Sequence, residues 1–86
     1  MEIQMTTKER EKLLGELCVI LGFCLPQEGY DALHDNPPTQ LSEFVDAVFR
    51  YEGLNPETAD LRLKRQVRDM IVKANHRSSD DNQMAL

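Results

Sequence analysis

The sequence predicts an all-α protein, a small bundle of three to four helices with a disordered C-terminal tail, and three observations carry the prediction. Leu41, Phe44, Val45, Val48 and Phe49 recur at helical spacing and make a complete apolar stripe. Directly after it, Gly53, Leu54, Asn55 and Pro56 join a left-handed cap residue to one suited to the first turn of a new helix. Sustained two-residue alternation, the mark of a half-buried strand, is missing throughout.

The elements follow in order. Residues 1–7 read as a flexible start, and Thr6 or Thr7 can cap a first helix whose early acids, Glu9 and Glu11, complement its positive end. This helix is expected to run to about Gly22. Its first half is polar, whereas Leu17, Cys18, Val19, Ile20 and Leu21 are apolar on every side and are expected to form the buried centre, packed between helices three and four. Gly22 weakens helical continuity and Pro26 pre-sets the backbone of a first turn, which predicts a short second helix from Leu25 to His34. Asn36, Pro37 and Pro38 stop it. Thr39 is placed to cap a third helix, Gln40 to Glu52, with Asp46 and Arg50 four apart in the favourable acid-first order. The fourth helix is expected from Pro56 to about Ala74, its core face being Leu63, Val67, Met70, Ile71 and Ala74. From His76 the periodicity ends, and residues 76–86 read as a disordered acidic tail. Residues 8–75 thus form one domain.

Composition limits the rest. At 86 residues, 41 % apolar and 29 % charged, the chain is one small folded domain able to bury a modest core. It holds no apolar run near the roughly 20 residues of a membrane span. The stretch Leu17 to Leu25 follows mixed charge rather than a basic leader, which argues against a secretory signal. Cys18 and Cys24, six apart, have a spacing that falls on different faces of a helix and too far apart to bridge easily, so both are expected to be reduced core thiols of a cytoplasmic protein. With His34 and His76 the only histidines, no residue set has zinc-site spacing, and neither a metal nor a cofactor is expected.

Charge is sorted along the chain. Between Glu16 and Asp60 nine acidic residues face the single base Arg50; from Leu61 to Arg77 six basic residues face the single acid Asp69. The basic segment carries a second stripe, with Leu61, Arg65, Arg68 and Val72 opposite the core face. Two aliphatics framed by arginines make a partner-like surface, because the planar guanidinium pairs with carboxylates while its stem adds contact area. A nucleic-acid role for this helix is disfavoured: the chain is acidic overall, aromatics are not interleaved, and Glu57 and Asp60 stand where a helix-turn-helix would meet phosphates. Glu28, Asp31, His34 and Asp35 form the densest set of acid-base groups, yet polar residues crowd any helix end beside a double proline, and they read as a solvated cap. A catalytic Cys24 with His34 as base fails because burial among Ile20, Phe23 and Leu25 would silence the thiol. Phosphate-cradling glycine loops and nucleophile elbows are missing too, so no enzyme is expected.

The acids Glu28, Asp31, Asp35, Glu43 and Asp46 offer a second candidate surface, one that would attract a basic partner. Within Leu41 to Asp60, the runs EFV, FRYEG and NPETAD resemble the first helix and turn of colicin-type nuclease immunity proteins, which are small acidic four-helix inhibitors. The likeness spans about twenty residues. That family's nuclease-touching tyrosine pair has no counterpart after Asp60, and the matching helix is third here rather than first, so no residue roles carry over. Two functional expectations result. The first is a non-enzymatic protein–protein interaction module, an adaptor, regulatory subunit or inhibitor, using Leu61, Arg65, Arg68 and Val72 toward another protein or a second copy of itself. The alternative is an acidic inhibitor of a basic partner, immunity-protein-like or mimicking nucleic acid.

Overall fold

Four helices form: α1 (Thr7–Leu21), α2 (Gln27–Asp35), α3 (Leu41–Tyr51) and α4 (Leu61–Met84). The computed structural model describes residues 1–84, with side chains through Ser78. Neighbouring helices pack in a ring, α1 on α2, α2 on α3, α3 on α4 and α4 back on α1, so α1 and α3 lie diagonally. The expected placement of α1 between α3 and α4 is therefore corrected: α1 lies between α2 and α4 and does not touch α3.

The α3 stripe closes the core as its spacing predicts, with Leu41, Phe44, Val45, Val48 and Phe49 all buried. Gly53 takes a left-handed φ of 78°, and the amide of Leu54 donates to the Phe49 carbonyl at 2.9 Å, the long bond of a Schellman cap. Leu54 itself stays partly exposed. At the other end of α3, Gln40 rather than Thr39 is the cap residue, and no side chain caps it.

At α1, Thr6 settles the choice of cap, its Oγ1 accepting from the Glu9 amide at 3.2 Å. Leu13, Leu14 and Leu17 turn inward, but Val19 and Ile20 are 84 % and 64 % exposed. The second half of α1 is thus not the buried centre: an all-round apolar run shows that some side must face water without showing which. Gly22 ends the helix at φ 75°, and the Phe23 amide reaches back to the Leu17 carbonyl at 2.9 Å. That reversal seats Phe23 in the core, edge-on to Phe49 with ring centroids 5.4 Å apart. It also lays Cys24 beside Cys18, Cα to Cα 4.2 Å, and the two form a disulfide. The expectation of two reduced thiols is overturned because the helical spacing it used does not hold across the reversal at Gly22, where the chain turns back between them.

α2 begins two residues later than expected, with Pro26 as its extended cap residue. Its Gly29 is buried so closely against Tyr51 of α3 that an added Cβ would sit 2.7 Å from the ring. The fourth helix does not start at Pro56. Asn55 Oδ1 accepts from the Glu57 amide at 2.9 Å, a local turn that competes with helix, and Asp60 supplies the true cap by accepting from the Arg62 amide at 2.8 Å.

Both ends of the expected domain shift as well. The segment read as a flexible start is a strap: Ile3 and Met5 are buried, Glu2 bridges Gln40, and the Ile3 amide donates to the Thr39 carbonyl. Gln4 and Thr6 amides then donate to Asn75 Oδ1 and Ser78 Oγ of α4, at 2.9 and 3.0 Å. α4 accordingly runs on through the stretch expected to be disordered. Its Ser78 is fully buried, and Arg77 binds the buried Glu9 at 3.0 Å and Glu16 at 3.5 Å. The remainder of the expected tail, 85–86, lies outside the described residues.

Candidate partner-binding groove

Capping by Asp60 sets the phase of α4. Leu63, Val67, Met70, Ile71 and Ala74 turn to the core, Val67, Ile71 and Ala74 completely. Leu61, Arg65 and Arg68 consequently point outward, with Leu61 75 % exposed. Val72 departs from the expected stripe: it is half-buried and packs on the core, within two turns of Asn75 and Ser78, which receive the strap. Lys64 takes its place, three residues after Leu61 on the same face.

Lys64, Arg65 and Arg68 border an open groove of about 360 Å³ between α3 and α4, and Leu61 lies on the same helix face outside its lining. Its floor is apolar, made by Met1 of the strap with the edges of Leu41 and Val45; Lys64, Arg65 and Arg68 form one bank. Asp46 and Ser42 sit on the α3 side. Among the described residues no carboxylate lies within 4.0 Å of the Lys64 or Arg65 head groups, and Arg68 reaches only Asp69, at 3.8 Å with both half exposed. Such a contact contributes little. The bank therefore keeps its positive charge available.

No family model, curated protein or solved structure matches the chain. The likeness of Leu41 to Asp60 to immunity proteins stays a likeness of twenty residues.

The acidic candidates are dispersed and partly engaged. Glu28, Asp31 and Asp35 are exposed on α2, but Asp31 accepts from Gln27 at 2.8 Å and Asp35 from His34 at 2.9 Å. Glu43 and Asp46 lie on α3 by a shallow depression shared with Ala47 and Arg50. Asp46 and Arg50 do not approach within 4.0 Å of each other, so the expected helical ion pair is not formed.

His34 is no solvated cap residue. Its Nδ1 meets Asp35 at 2.9 Å, its Nε2 meets Glu11 of α1 at 3.0 Å, and Tyr30 stacks on the ring at 5.8 Å. Arg10 donates to the His34 carbonyl at 2.8 Å, securing the C-terminal end of α2 to α1. The hydrogen bonds to Asp35 and then Glu11 hold the imidazolium above its usual pKa of 6.5. A raised folded-state value means the latch stabilises fully below the unfolded pKa near 6.5 and is lost as pH rises through the folded value. The urea midpoint is expected to fall between mildly acid and mildly alkaline pH, and His34→Gln to flatten that slope; an unchanged slope would dismiss the latch. Glu11, 23 residues away, gave no sequence signal for this contact.

Among the described residues no group of three or more His, Cys, Asp or Glu side chains is arranged to hold a metal ion. Cys24 is exposed rather than embedded, and it is the bridge to Cys18, not burial, that withholds its thiol. No described helix is long and apolar enough to cross a membrane.

Proposed function

We propose that this protein is a non-enzymatic protein–protein interaction module whose working face is the outer surface of α4 and its groove against α3. The observation that supports this is the groove itself: an apolar floor beside three basic side chains with no strong ion partner among the described residues. Recognition surfaces combine those features, apolar area for affinity and arginine for directional pairing. The face comprises Leu61, Lys64, Arg65 and Arg68, with Val72 acting as a supporting core residue. The acidic-inhibitor alternative has less behind it, since its five acids are divided between α2 and α3 and two of them, Asp31 and Asp35, are engaged by Gln27 and His34.

The proposal of a cytoplasmic setting rested on reduced cysteines. A bridged pair persists in an oxidising compartment, which favours that setting instead.

Leu61→Asp tests the reading. This residue is 75 % exposed, so the change should leave the melting temperature within a few degrees of the parent while abolishing stoichiometric capture of a partner protein. Undiminished capture by the variant would remove α4 from the working face.

A further inference from the structure

We infer that the α3–α4 groove receives an acidic segment of another protein, one with two or more carboxylates about a helical turn apart beside an aliphatic anchor. This rests on the binding-module reading and names the chemistry of the partner. Lys64, Arg65 and Arg68 stand at consecutive positions of one helical face, spanning roughly one turn or 6 Å of axis. Carboxylates at i and i+4 of a partner helix, or at i and i+2 of a partner strand, have a similar spacing of roughly 6–7 Å. Lys64 and Arg68 can then meet the two carboxylates, with Arg65 reinforcing the pair beside them, while an aliphatic side chain enters over Met1, Leu41 and Val45.

Charge decides among the possible occupants. A second copy docked stripe against stripe would set Lys64, Arg65 and Arg68 of one copy against the same cationic set of the other, with no carboxylate on the stripe to pair with them. Nucleic acid offers the right sign but wants a polar, cationic trough, and this floor is apolar with Asp46 on its far bank. An acidic peptide with an aliphatic residue satisfies bank and floor together. Asp46 would repel a carboxylate placed on the α3 side, which fixes the orientation of the acids toward α4.

The test is selection from a displayed library of short random peptides on the intact, disulfide-bridged protein, with Arg65→Glu/Arg68→Glu as the counter-selecting variant. Enriched sequences should pair Asp or Glu at those spacings with Leu, Ile or Met. A synthetic enriched peptide should lose about tenfold or more in affinity toward the double variant and weaken with salt. Circular dichroism melts confirm that the variant is folded. Enrichment of neutral or basic peptides that Leu61→Asp abolishes would overturn the acidic occupant and leave the binding module standing. Failure of any peptide to enrich, together with equal partner capture by Leu61→Asp, would remove both. Tighter binding of a labelled single-stranded oligonucleotide, or concentration-dependent self-association lost in the double variant, would replace the acidic peptide with nucleic acid or a second copy.

Discussion

Phe49→Ala should cost about 3–5 kcal/mol and leave little folded protein near physiological temperature. Phe49 is completely buried in α3 and meets the edge of Phe23 at 86° between ring planes. Truncation removes a large apolar transfer energy and leaves a cavity in the core that the four helices share. It also strips Phe23 of the partner that draws the chain inward after Gly22. Domains carry roughly 0.05–0.15 kcal/mol of stability per residue, so a chain of this length has little margin for such a loss. Thermal melts followed by circular dichroism should show the midpoint falling by tens of degrees, or no cooperative transition. Phe49→Leu keeps most of the volume and should retain a cooperative melt at a less reduced midpoint. A Phe49→Ala melt within a few degrees of the parent would mean the core is organised differently.

The same residue shows what a sequence displays openly. Phe49 belongs to a stripe whose five members lie within nine residues, and helical geometry alone puts them on one face. Gly53 and the outward set Leu61, Arg65 and Arg68 were legible for the same local reason. Lys64 is legible from its three-residue offset to Leu61, whereas Val72, eleven residues from Leu61, turns half-buried onto the core. The rest depends on chain reversals that local pattern does not specify. Ile3 and Met5 alternate over too few residues to announce a strap, yet Gln40, Asn75 and Ser78 give it partners from distant segments. Glu11 and His34 meet only because α1 and α2 pack side by side. Likewise Arg65 and Arg68 could be put on one face by arithmetic, whereas the floor of Leu41 and Val45 that makes a groove of them comes from the packing of α3 on α4.

Opening the Cys18–Cys24 bridge should lower stability by about 2 kcal/mol without unfolding the domain. The crosslink spans a sequence separation of six, and the chain-entropy relation for so short a loop gives about 2 kcal/mol through restriction of the unfolded chain. For a domain of this size that corresponds to a fall in melting temperature of about 8–16 °C. The bridge is not the sole support of the reversal it spans. Gly22 holds its left-handed turn, the Phe23 amide keeps the Leu17 carbonyl, and Phe23 stays buried against Phe49. Reduction should therefore loosen the segment from Cys24 to Pro26 and the first turn of α2 before it disturbs α3 and α4. Melts of the parent with and without dithiothreitol, beside Cys18→Ser/Cys24→Ser, separate the contributions. The reduced parent should melt with the double variant, and the variant should ignore the reductant. Amide exchange should quicken at Cys24 and Leu25 while Val48 and Ile71 stay protected. Insensitivity of the parent to reductant would show that the turn, not the bridge, fixes this corner; unfolding on reduction would show that the Phe23 contact cannot hold without it.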